Sequence, residues 1–116
     1  MAKQVIKTIG QPIDVEVFIK ATNVRFPLEL DVSAGIVSKV NPNSYTSSAT
    51  KVRIEKDGTY KARVTLNTSN LTQEGGYDLK MSAIGYGRTL AEKTVYSVVH
   101  LYKTLATLEI VDYELY

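Results

Sequence analysis

His100 is the only histidine in the chain. Nucleophilic catalysis would have to recruit it together with a Ser or Thr and a carboxylate. It stands between Val99 and Leu101, in phase with Tyr96, Val98 and Tyr102. That setting suits a packed, hydrogen-bonded or interface imidazole better than a general base. Two carboxylate pairs, Asp14/Glu16 and Glu29/Asp31, have the residue types of a glycosidase, which needs two convergent carboxyl groups at a set separation. Each pair alternates with apolar residues, where solvated side chains belong. The loop acids, Asp57 and Glu74, are isolated, and the calcium-loop pattern Asp-x-[Asp/Asn]-x-[Asp/Asn]-Gly is absent. The sequence holds no Cys, which excludes disulfides, thiol catalysis and thiolate metal sites. Gly85 and Gly87 flank Tyr86 in neither phosphate-loop nor dinucleotide spacing, so they read as a bulge or turn. The expectation is a non-enzyme with no catalytic, cofactor or metal site.

The elements that carry these residues follow from composition and period. With 116 residues, 44 % hydrophobic and 22 % charged, the chain can build a core and is expected to form one domain over 1–116. A formal net charge of +2 is too weak to name nucleic acid as a partner, and no RNA-binding signature interleaves aromatics with basic groups. No apolar run reaches the roughly 18 residues of a membrane helix, so membrane insertion is not expected. The opening residues lack the long apolar region of a leader peptide.

Period-two alternation dominates. Ile13, Val15, Val17 and Ile19 alternate with polar residues, and the next run shifts to Val24, Phe26, Leu28, Leu30 and Val32. Pro27 marks that second strand as an edge or a bulge. A short run, 36–40, follows Gly35. The polar stretch 41–48 reads as a loop, with Tyr45 in it as a candidate contact residue.

Residues 50–67 read as a hairpin around Asp57-Gly58. Its apolar residues fall on even numbers on both arms. They share a face if a three-residue loop pairs 54 with 60, 53 with 61 and 51 with 63, with Gly58 in the left-handed position of a bulged turn. Lys51, Arg53, Lys61 and Arg63 would then form a basic strip, with like charges opposed. The N-terminal strands carry the acids, so one acidic and one basic region are expected.

Leu71-Thr72-Gln73-Glu74-Gly75-Gly76-Tyr77 places a Tyr at a strand entrance after a loop. That is the setting of a tyrosine corner, in which the ring enters the core and the hydroxyl returns to upstream backbone. Tyr77 is therefore expected to be structural. The stretches Asp57-Gly58-Thr59-Tyr60, 64–72 and Gly76-Tyr77-Asp78-Leu79 resemble the middle and late strands of immunoglobulin-like modules of microbial surface proteins and of phage or viral structural proteins. The resemblance covers 57–79 and implies a β-sandwich that spaces or decorates a larger assembly and binds partners or glycans. Gln73-Glu74-Gly75-Gly76 replaces the family's shorter corner. The antibody-type Cys pair and Trp are absent.

The run 94–102 carries apolar groups on both phases, which suits a central strand or one whose outer face meets a partner. Beyond it, Val111, Tyr113 and Leu115 alternate with Asp112, Glu114 and Tyr116, an apolar strand expected to be paired within the domain or with another subunit. Tyr96, Val98, His100, Tyr102, Val111, Tyr113, Leu115 and Tyr116 are the interface candidates. The expected fold is all-β, an immunoglobulin-like antiparallel β-sandwich of seven to nine strands, with a small antiparallel barrel as the alternative. The expected function is a structural protein that forms a homo-oligomer or enters a larger assembly, in a virion or at a cell surface. An adhesion or carbohydrate-binding module, with a glycan as partner, is the alternative.

Overall fold

A computed structural model describes residues 4–116; the opening residues 1–3, on which the leader expectation partly rests, lie outside it. Seven strands form two sheets: β1 (Val5–Thr8), β2 (Ile13–Ala21), β3 (Leu28–Ser38), β4 (Tyr45–Ile54), β5 (Gly58–Leu66), β6 (Gly75–Gly85) and β7 (Arg88–Tyr102). Five strands in the order β1-β7-β6-β3-β4 face the two-stranded sheet β2-β5. All ladders are antiparallel except β1 with β7, which is parallel. The sheets curl into an open sandwich whose edges stay 14 Å apart, so the molecule is not a closed barrel.

The alternation places these strands. Ile13 on β2, Leu30, Val32, Ala34 and Ile36 on β3, and Ala62, Val64 and Leu66 on β5 are all buried between the sheets. One cluster joins Ile36, Leu66, Tyr77, Val99 and Leu101. A second joins Leu30, Val32, Ile54, Ala62 and Ala83. Burying a side chain of this size contributes about 1.5–3 kcal/mol, which is why inward parity is held strictly along β3 and β5.

Residues 24–40 do not form two strands. Pro27 lies just before β3, and the strand then runs unbroken through Gly35, paired on both sides. Gly35 is needed there because a Cβ would come within 2.9 Å of the Ser47 Cβ across the ladder. Nor is 41–48 all loop, since β4 already begins at Tyr45. Gly85-Tyr86-Gly87-Arg88 closes a two-residue hairpin between β6 and β7. Tyr86 and Gly87 have φ of 53° and 72°, the double left-handed geometry of a turn matched to strand twist.

The largest correction concerns 50–67. β4 pairs with β3, and β5 pairs with β2, so the two arms lie in opposite sheets and their connection crosses from one layer to the other. Gly58 is not the left-handed residue of a bulged turn; it opens β5, paired with Ala21. Asp57 fixes the crossing. Its carboxylate accepts hydrogen bonds from the Val24 N–H at 2.8 Å and the Asn23 N–H at 3.1 Å. Even-numbered residues on both arms point inward, as expected, but from facing sheets rather than from one ladder.

Candidate functional site

The basic strip is divided by the same crossing. Lys51 and Arg53 lie on β4 opposite Asp31 and Glu29, while Arg63 on β5 lies opposite Glu16. Each cation has an acidic neighbour: Lys51–Glu29 at 3.4 Å, Arg53–Glu55 at 2.9 Å, Lys61–Glu16 at 3.9 Å and Arg63–Asp14 at 2.7 Å. The acids of the N-terminal strands thus interleave with these bases, and the separate acidic and basic regions do not form. The Thr65 hydroxyl and then the Arg63 guanidinium hold the Asp14 carboxyl below its ordinary value, and Asp14 in turn raises Arg63. These pairs are solvent-exposed and screened, so each adds little to stability. They also engage three of the carboxylates that a glycosidase reading would need, Asp14, Glu16 and Glu29.

On β7 the interface candidates do not share a face. Between Tyr77 and Leu79 of β6, the partner strand advances from Val99 to Val95, which inserts two extra residues. Ser97 takes φ of 55° at this bulge. Alternation breaks inside the bulge, where Val98 is buried beside Val99, while Val95 and Val99 on its two sides keep the same phase because the insertion is even. Tyr96 is exposed, and His100 and Tyr102 are half-buried. His100 is flanked by Ile6 on β1 and Gly76 on β6. Neither ladder neighbour supplies a carboxylate or a nucleophilic hydroxyl to it.

Asp78 holds the bulge. Its Oδ1 accepts the Ser97 N–H at 2.9 Å and the Lys39 ammonium at 3.0 Å, and the same ammonium lies 5.5 Å from the centre of the Tyr96 ring. Partial burial of the Asp78 carboxyl opposes its ionisation. The Ser97 and Lys39 contacts outweigh that, and the group titrates below its ordinary 3.8. A carboxyl with a lowered folded-state pKa contributes stability above its unfolded pKa and loses it as pH falls through the folded value. Asp78→Asn retains an oxygen acceptor but removes the charge. The stability advantage of the native chain over Asp78→Asn is expected to be full at about pH 5 and to vanish on acidification well below 3.8. Urea titrations across that range measure it, and a constant difference would contradict the account.

Tyr77 is buried, and its hydroxyl donates to the Gln73 carbonyl at 2.6 Å. The Ser44 hydroxyl lies 2.7 Å away and also receives the Thr72 and Gln73 N–H groups, each at 3.3 Å. This network ties the β3–β4 connection to the entrance of β6. Sequence reasoning found the Tyr but not Ser44, which sits among other polar turn residues with nothing to distinguish it.

The segment 105–116, expected to pair within the domain or with another subunit, also departs from expectation. It forms no strand. Leu108 and Ile110 are 92 % and 93 % exposed, Val111 83 % and Leu115 87 %, and Tyr113 and Tyr116 are exposed with them. The expected pairing within the domain is absent among the described residues.

Two concavities complete the surface. One, of about 480 Å³, lies on the outer face of the five-stranded sheet between Tyr45, Ser47, Ser33 and Thr94, with Gly35 at its floor. The other, a cleft of about 420 Å³, runs between β2 at 16–20 and the residues Met81–Ala83 and Ala91–Lys93 of β6 and β7. Its floor includes the half-buried Val17, Ile19 and Met81. No group of three or more metal-ligating side chains occurs among the described residues. No protein-family profile matches the chain, and no curated protein matches its sequence.

Proposed function

We propose that the chain is a non-enzymatic structural subunit that associates with copies of itself or enters a larger particle, such as a virion or a surface filament. The observation that carries this reading is segment 105–116, whose apolar and aromatic side chains stand in water beside an otherwise well-formed core. An exposed apolar patch of this kind marks a contact surface in folded proteins. Strand order gives support. A β1-β7-β6-β3-β4 sheet facing β2-β5, with the Tyr77 hydroxyl returned to upstream backbone at the start of β6, supports the resemblance to an immunoglobulin-like sandwich. In such sandwiches the smaller sheet normally carries flanking strands, and among the described residues β2 and β5 have none.

Removing 105–116 is expected to leave the far-ultraviolet β signal intact and to abolish association in sedimentation velocity. Unchanged association in a folded, shortened chain would overturn this reading. Carbohydrate binding is the second reading. It is supported by the hydroxyl-lined depression beside Tyr45 on the outer sheet face, since Tyr suits glycan stacking. Binding to a glycan array by a chain that stays monomeric would favour it over assembly.

A further inference from the structure

We infer that the cleft beside β2 receives segment 105–116 of a second copy of this chain as an added strand. The inference rests on the assembly reading above and names the site that assembly uses. Three observations converge on it.

The first is an unpaired edge over an incomplete core. Among the described residues, β2 is hydrogen-bonded on one side only, to β5. β5 lies near β4 at the other side of the sandwich, so the free edge of β2 is the one that borders the cleft. Beneath that edge Val17, Ile19 and Met81 are only half-buried. The sandwich does not close, and its edges stand 14 Å apart against the roughly 4.8 Å between paired strands.

The second is the form of the segment. Val111, Tyr113 and Leu115 share one phase, and Asp112 and Glu114 the other. Added at the β2 edge, that pattern lays one apolar face over the cleft floor and turns the carboxylates outward. Twelve residues in extended form reach about 40 Å, ample for the nine-residue β2, which spans about 30 Å.

The third is charge. Segment 105–116 carries Glu109, Asp112 and Glu114 and no basic residue, whereas the rest of the chain holds all 14 basic side chains against the other nine acids. The cleft is lined by Lys20 and Lys93 and by Glu16 and Glu92; Glu16 is held by Lys61, and among the described residues Lys20, Lys93 and Glu92 form no ion pair, which leaves two cations against one acid there. The segment's acids match cations that the fold leaves unmatched.

Zero-length carbodiimide coupling of the full chain, prepared as an equal mixture of ¹⁴N and ¹⁵N protein, tests the inference. Mass spectrometry is expected to find Lys20 or Lys93 joined to Glu109, Asp112 or Glu114 in mixed-isotope pairs. Links found only within one isotope would mean that the segment folds back on its own body, which overturns the second-copy inference. An associating protein whose links from 109–116 avoid both lysines overturns the site while leaving self-association standing. A chain that stays monomeric at every concentration overturns both. A charge swap supplies the second variant. Lys20→Glu with Lys93→Glu is expected to weaken association about tenfold or more. Mixing that protein with an Asp112→Lys, Glu114→Lys chain is expected to restore it. Restoration separates ion pairing across the site from a folding defect, and its failure in two folded variants counts against the site.

Discussion

Tyr77→Phe is expected to lower the unfolding free energy by about 2–3 kcal/mol. The ring stays, so the core loses no volume. What disappears is a hydroxyl that donates to the Gln73 carbonyl at 2.6 Å and lies 2.7 Å from Ser44 Oγ, with Ser44 itself buried. An unsatisfied buried polar group costs about 1–3 kcal/mol, and this substitution leaves two groups short of a partner. Ser44→Ala removes the other half of the same network, so the two losses should not add in the double variant. The readout is the urea midpoint at unchanged m value. A loss below about 0.5 kcal/mol would mean that the corner is not a unit of stability.

Thr68→Val is expected to cost more, about 2–4 kcal/mol, although it is nearly isosteric. Thr68 is fully buried in the β5–β6 connection. Its Oγ1 accepts the Gly10 N–H and donates to the Gln11 carbonyl, both at 2.8 Å. That one hydroxyl therefore satisfies two backbone groups of the β1–β2 loop. Valine offers neither a donor nor an acceptor to the pair. Thr68→Ser keeps the hydroxyl and loses only a methyl, so a loss near 1 kcal/mol is expected. Equal losses in the two variants would show that packing, not hydrogen bonding, makes Thr68 matter.

These two residues also show what local pattern can carry. Tyr77 was legible because a Tyr after a Gly-rich loop, at the head of an alternating strand, has few other uses. Thr68 was not, because its partners lie 57 and 58 residues away and a Thr in a turn-rich stretch is ordinary. The all-β sandwich was legible from strict alternation along β2, β5 and β6. Connectivity was not. Even-numbered apolar residues at 54 and at 62–66 satisfy a hairpin and a layer-crossing equally well, since both point them inward. Deciding between the two needs the long-range β3–β4 and β2–β5 ladders, which no local period reveals. β1, with four residues, is too short to show a period. The bulge at Ser97 hid the fate of Val98, because alternation assumes that every residue of a strand is paired in register.

The candidate site follows the same division. The sequence marked 111–116 as strand-like and in need of a partner. Its alternation is intact, and the fold supplies no neighbour for it within the described chain. The basic strip failed for the opposite reason. Charges that look clustered along the chain are distributed to two sheets, where Asp14, Glu16 and Glu29 meet them. Lys20 and Lys93, which attract no notice in the sequence, are the cations left at the open cleft.

Absolute molar mass in solution, from light scattering after size exclusion across a concentration series, tests the central claim most directly. A mass above the 12.9 kDa of the chain is expected, rising with concentration or settling at a defined oligomer. A mass fixed at 12.9 kDa throughout the series would contradict self-assembly through the exposed segment.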